Sequence, residues 1–190
     1  MHTCWNHNSA YHPWLLGIVA GQPRSRVLDV GCGDGLLLEK LAPLADAVVG
    51  LEPDSATARR AAERLAHLPH ARVEKESFAD HSPEHPYDVI IFVASLHHMD
   101  LTAALTKARE LLVVGLAANR SPGDWIISAL QVLPVRLGSW LHGETRDIGV
   151  PVAAPRESLA EIRSTARQLL PGARIRRGLY YRYLLRWTKP

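Results

Sequence analysis

Short apolar runs alternate with stretches of helical periodicity along most of this chain. Residues 26–30 and 47–51 each read as a short buried strand, and 87–93 is the strongest strand signal, with Val89, Ile90, Ile91, Phe92 and Val93 in succession. Unbroken apolar runs are what strands covered on both faces of a parallel sheet require. Residues 72–75 give a weaker strand, suited to the edge of a sheet. Between these lie helical patterns. Pro13 suits a first helical turn, and Trp14, Leu15, Ile18 and Val19 then share a face up to Gly21. Residues 36–44 carry Leu36, Leu37, Leu38 and Leu41 and stop around Pro43. Asp54 or Ser55 can cap an alanine-rich helix running to about Leu68.

Further on, residues 101–111 read as helix and 112–117 as strand. Residues 119–155 are hard to place: Trp125, Ile126, Leu130, Leu133 and Leu137 suggest helical turns broken by Pro134 and Gly138. Ser158 with Glu161 makes a capping box for a helix to Leu170, ended by Pro171-Gly172. Residues 174–180 and 183–188 read as a strand hairpin. Repeated strand–helix units followed by a strand pair imply a doubly wound, mostly parallel α/β sheet. A single domain is expected over 1–190: an N-terminal lid or helix over 1–21, a core over 24–118, a substrate-side insertion over 119–155, and a C-terminal helix and hairpin over 156–190.

Composition narrows the function classes. The chain has 190 residues and 47% hydrophobic content, enough to form a core without metal or disulfide. Its two cysteines, Cys4 and Cys32, lie in unrelated contexts, which fits a reducing, cytoplasmic setting. No apolar run approaches the ~20 residues of a membrane span. The net charge is a mild +3, with basic residues gathered at Arg174, Arg176, Arg177, Arg182, Arg186 and Lys189. Such a cluster could meet RNA or an acidic substrate, but a solvated sheet edge is the commoner explanation.

The candidate chemistry centres on residues 27–35, Val-Leu-Asp-Val-Gly-Cys-Gly-Asp-Gly. Glycines at the carboxyl end of a strand let backbone approach a ligand. A dinucleotide site would want Gly-x-Gly-x-x-Gly facing a pyrophosphate. Here Gly31-x-Gly33-x-Gly35 is flanked by Asp29 and Asp34. Those carboxylates repel phosphate and suit an ammonium group or hydroxyls instead.

This stretch resembles the first motif of class I S-adenosylmethionine-dependent methyltransferases, of the small type 11/12-like domains. Glu52 ends the second strand where that family places an acid for ribose hydroxyls. Tyr87-Asp88-Val89-Ile90 resembles its fourth strand, residues 94–99 the segment that follows, and Leu185-Arg186-Trp187-Thr188 its last, antiparallel strand. The resemblance implies a seven-stranded Rossmann-like sheet and S-adenosylmethionine as cofactor, with S-adenosylhomocysteine as product. It implies that Asp29, Gly31, Cys32, Gly33 and Asp34 surround the aminoacyl end, that Glu52 and Pro53 lie at the ribose, and that Ala94, Ser95 and Leu96 line the methionine moiety. Many members place an acid after the third strand for the adenine amino group. Ser77 stands there in this chain, so its hydroxyl or Glu76 would have to substitute, with Phe78 beside it to pack on the ring.

One further departure concerns the junction before the fifth strand. The family has a Pro-Gly-Gly turn there, whereas this chain passes from Leu112 to Val113 without turn residues, so a short missing segment is expected at that point. For catalysis, His97, His98 and His12 are the candidate bases, needed only if the acceptor enters protonated. Tyr11, Trp14 and Trp125 are candidates for an aromatic acceptor wall. No metal is expected, since Pro83 keeps His81 and His85 off a common helix face and no Cys-x-x-Cys occurs. The expected function is methyl transfer to a small-molecule acceptor. Nucleic-acid methylation is disfavoured by Ala94-Ser95-Leu96-His97 where that chemistry uses Asn/Asp-Pro-Pro-aromatic. A cofactor-binding protein without transfer is a third reading, and a nicotinamide reductase a distant fourth.

Overall fold

The computed structural model describes residues 5–21, 23, 26–96, 108–143 and 155–190. Seven strands form one sheet: β1 (Arg26–Val30), β2 (Ala47–Leu51), β3 (Ala71–Glu74), β4 (Tyr87–Val93), β5 (Ala108–Leu116), β6 (Arg174–Arg177) and β7 (Arg182–Thr188). Their order is β3-β2-β1-β4-β5-β7-β6. The first five are parallel, and β7 runs antiparallel to both β5 and β6. The order reverses direction between β1 and β4, and a ligand crevice opens beyond the carboxyl ends of strands at such a switch point.

The strands buried on both faces are those with continuous apolar runs. Val27, Leu28, Val89, Ile90, Ile91 and Phe92 are fully enclosed. Alternate residues feed two cores. Leu28, Phe92, Leu111, Val113 and Leu185 meet α5 (Leu159–Leu169) on one face, while Val27, Val48, Ile91, Leu112 and Val114 meet α1 (His12–Ala20) and α2 (Leu36–Leu41) on the other. Asp54 caps α3 (Ser55–Leu65) by accepting the Thr57 amide, and Ser158 with Glu161 closes the expected capping box.

Two expectations are corrected. Residues 108–111 belong to β5, not to a helix, and the strand runs unbroken through Leu112 and Val113, which pair with Ile91 and Phe92. The strand begins four residues earlier than expected. Glu110 obscures this in the sequence: it is a charged residue at a buried strand position, tolerated because Arg186 on β7 reaches it at 2.7 Å. The second correction is α4 (Pro122–His142), a single helix that continues through Pro134 and Gly138. Its start is set by a second capping box, Ser121 with Asp124, and by Pro122 in the first turn. The expected helix over 101–107 lies outside the described residues.

Candidate functional site

At the end of β1 the backbone turns through Gly31 and Gly33, both left-handed, with φ of +72° and +56°. The amides of Gly31 and Cys32 both donate to the Leu51 carbonyl, fastening the turn to the end of β2. A Cβ at Gly31 would lie 2.8 Å from the Ser95 Cβ, whereas one at Gly33 would enter open space. The turn is therefore packed on one side and bare on the other. Ser95, just past β4, is buried and donates to the Val30 carbonyl at 2.5 Å. Ala94 before it holds a left-handed φ of +56°, a strained backbone fixed by its N–H, which donates to the Val114 carbonyl at 2.8 Å.

Three carboxylates surround this turn, in different states. Asp29 is fully enclosed and its Oδ1 has no hydrogen-bond partner. Burial, with the Glu52 charge adding to it, pushes its carboxyl up to about 7. Glu52 accepts the Gly33 amide through Oε2 and the Asp54 amide through Oε1, each at 3.1 Å. Asp34 turns outward to α3, where Arg64 donates to its carbonyl and its carboxylate at 2.8 Å and also binds Glu39. Sequence reading missed Arg64, which nothing marks but its place on the neighbouring helix. Burial pushes the Cys32 thiol well up, so it stays protonated. Pro53 is exposed beside the turn, and Leu96 packs half-buried against the core.

After β3 the structure rearranges the expected adenine end. The Ser77 hydroxyl donates to Asp80 at 2.6 Å, so a carboxylate stands beside the serine. Phe78 is buried and meets Phe92 edge-on, placing it in the core rather than on an open face. Glu74, Glu76 and His81 bring three possible ligand atoms within 4.8 Å of one another, a grouping missed by considering His81 with His85. His81 also bonds Glu76 and, at 2.9 Å, the Tyr87 hydroxyl.

Of the candidate bases, His97 and His98 lie outside the described residues. His12 is buried at the start of α1. Burial, then the Lys40 ammonium that donates to its Nδ1 at 3.3 Å, lower it to about 4. Tyr11 donates to the Leu179 carbonyl at 2.6 Å, and Trp14 packs half-buried against the α1–α2 core. Trp125 lies on the outer face of α4, 64% exposed. The aromatic surface at this edge comes from other residues. Trp5 and Tyr180 meet edge-on at 5.6 Å, His7 stacks on Tyr180, and His142 of α4 meets Trp5 at 4.7 Å. Three of the six residues of the basic cluster are engaged internally, Arg177 with Asp124, Arg186 with Glu110, and Arg182 with the Asn8 side chain, while Arg174, Arg176 and Lys189 are exposed.

Known proteins carry the same pattern. Residues 28–115 match a family model described as a methyltransferase domain. An uncharacterized methyltransferase of Mycobacterium tuberculosis is 32% identical, covering 98% of both chains. A ubiquinone biosynthesis O-methyltransferase of Yersinia pestis is 30% identical over 62% of this chain and 52% of its own. Among solved structures, magnesium protoporphyrin IX methyltransferase of Synechocystis with bound S-adenosylmethionine gives a TM-score of 0.64 at 18% identity, covering 97% and 80% of the two chains. The N-methyltransferase NodS of Bradyrhizobium japonicum with S-adenosylhomocysteine gives 0.63 at 17%, covering 97% and 89%.

Proposed function

Since the chain belongs to the class I S-adenosylmethionine-dependent methyltransferases, we propose that it methylates a small-molecule acceptor held beyond the carboxyl ends of β4 and β5. The observation that carries this reading is the pairing of an orphaned, buried Asp29 Oδ1 with the open space over Gly33. A buried carboxylate oxygen left without a partner is costly, and a cationic ligand offsets that cost. A glycine turn bare on one side is what a close-packed ligand needs.

The cofactor supplies, when bound, a methyl group already activated on a sulfonium. In this reading Asp29 receives the positively charged aminoacyl end, directly or through water. Glu52, already oriented by two backbone amides, offers its remaining lone pairs to the ribose hydroxyls. Asp34 acts at a distance, through Arg64, by holding the turn closed. Asp80, drawn in by Ser77, takes the place of the missing acid at the adenine amino group. Ser95 fixes the end of β4 against the turn, beside the atoms that react.

A small acceptor is supported by what surrounds this edge. Residues 5–11, α4 and the β6–β7 turn are the described elements over it, and three arginines of the basic cluster are committed within the protein. The Yersinia relative is named for O-methylation. An oxygen acceptor would need its proton removed. His12, lowered to about 4 by burial and by Lys40, is a weak base, so in this reading the task falls to His97 or His98.

Calorimetric titration with S-adenosylhomocysteine tests the reading. Micromolar-range binding is expected, abolished in Gly31→Arg. Absence of heat at saturating ligand would sink it. Binding without radiolabelled methyl transfer across a broad metabolite panel would leave a cofactor-binding protein instead.

A further inference from the structure

Helix α4 is mounted with its polar side inward. Asp124, Ser128, Gln131, Gly138 and Ser139, with Ile127 and Val135 among them, form the face that meets the rest of the protein. Asp124 binds Arg177, Gln131 accepts the Tyr181 amide, Ser139 meets His7, and Gly138 lies under the Tyr180 ring. The opposite face carries Ile126, Leu130, Leu133, Leu137 and Trp140, which are 61%, 73%, 77%, 54% and 78% exposed. An ordinary surface helix does the reverse.

The outward residues are separated by four, three, four and three positions, the spacing of a seam that packs against another helix. The seam runs ~21 Å along the axis at 1.5 Å per residue. With Trp125 and Leu141 at its borders, it exposes on the order of 900 Å² of apolar surface, where the largest patch on a typical monomer is ~300–600 Å² and a standard interface takes ~800 Å² from each partner. The seam residues carry no charge, and Arg136 lies at the border.

We propose that this seam is a homodimer interface, in which α4 of one copy packs antiparallel against α4 of a second, about a two-fold axis near Leu133. Three features favour a second copy. The seam is close to symmetric about Leu133, with Leu130 and Leu137 three and four residues to either side and Ile126 and Trp140 seven, and a two-fold contact needs a self-complementary surface. An uncharged face can meet its own copy without like-charge repulsion. Antiparallel packing sets the two helix dipoles in opposition. A helix lying on lipid would instead show lysine and arginine on its polar side. Here that side is covered by Tyr180 and His7, and no helix among the described residues is long and apolar enough to cross a membrane.

Sedimentation equilibrium on the full chain at tens of micromolar tests this. The wild type should show about twice the 21.0 kDa chain mass. Leu133→Glu, at an exposed position that cannot disturb the core, should return it to one chain mass with an unchanged melting curve and unchanged S-adenosylhomocysteine affinity. In a Cys4→Ser background, Leu133→Cys should form a disulfide-linked dimer on mild oxidation and Arg136→Cys should not. A wild type of single-chain mass overturns the proposal. So does a dimer that survives Leu130→Glu/Leu133→Glu/Leu137→Glu, which would place the contact elsewhere. A single-chain mass with retention on phosphatidylcholine–phosphatidylglycerol vesicles, lost in Leu133→Glu, would assign the seam to lipid instead.

Discussion

The Glu52 carboxylate accepts the Gly33 amide at 3.1 Å, which ties the acid at the end of β2 to the turn at the end of β1. Its other oxygen accepts the Asp54 amide at the start of α3. One side chain thus orients the glycine turn and its own carboxylate together. Glu52→Gln presents an amide donor to one of those two N–H groups. Charged hydrogen bonds of this kind are worth ~1.5–3 kcal/mol, so affinity for S-adenosylhomocysteine should fall about tenfold or more by calorimetry, with a smaller fall in melting temperature.

Gly31 and Gly33 should separate stability from binding. Gly31→Ala forces a left-handed alanine and places its Cβ against Ser95, so a loss of ~2–3 kcal/mol in denaturant unfolding is expected. Gly33→Ala meets no neighbour and should cost only ~1 kcal/mol, from backbone strain. Its methyl group stands in the open space over the turn, so its cofactor affinity should fall out of proportion to its stability. Equal losses in both would mean that the space over Gly33 is not the ligand side.

Arg64 supports the turn from behind by gripping Asp34 and Glu39. Half-exposed ion pairs contribute little to stability, ~1 kcal/mol or less each. Arg64→Gln should therefore melt within a few degrees of the wild type while binding S-adenosylhomocysteine several-fold more weakly. An unchanged dissociation constant would show that Asp34 needs no such support.

Two buried groups give stability opposite slopes with pH. Asp29 is raised from 3.8 to about 7 in the folded protein, so its contribution is fully present below pH 3.8 and is lost as pH rises toward 7. His12 is lowered from 6.5 to about 4, so its contribution is present above pH 6.5 and is lost as pH falls toward 4. In the absence of cofactor, Asp29→Asn should gain stability relative to wild type at pH 8 and lose that advantage by pH 4. His12→Phe should flatten the acid limb between pH 6.5 and 4. Chemical denaturation across this range checks both signs.

The β6–β7 turn supplies another test. Tyr180 and Tyr181 both hold left-handed φ, +54° and +58°, in a two-residue hairpin turn closed by the Arg182 amide to Leu179. Asn-Gly is the usual solution there. Tyr181→Gly should stabilise by about 1 kcal/mol, since it relieves strain at a partly exposed position. Tyr180→Gly should destabilise, because its ring is held by Trp5, His7 and α4.

The sequence by itself determined the parallel core and the glycine turn that ends β1. The apolar runs of β1, β2 and β4 need both faces covered, and Gly31, Gly33 and Glu52 lie at the ends of two adjacent strands, where spacing along the chain fixes spacing in space. What only tertiary structure decided involves partners distant in sequence. Glu110 enters β5 because Arg186, two residues along β7 from its cross-strand partner Thr188, reaches its carboxylate, so four residues that look helical become strand. Asp34 faces α3 because Arg64 draws it there, and Asp80 comes beside Ser77 through the serine hydroxyl. Periodicity reveals that α4 has two faces but not which one points inward. The polar face turns in because Arg177, His7 and the Tyr181 amide give its side chains hydrogen bonds, and the apolar face is left to meet a second surface.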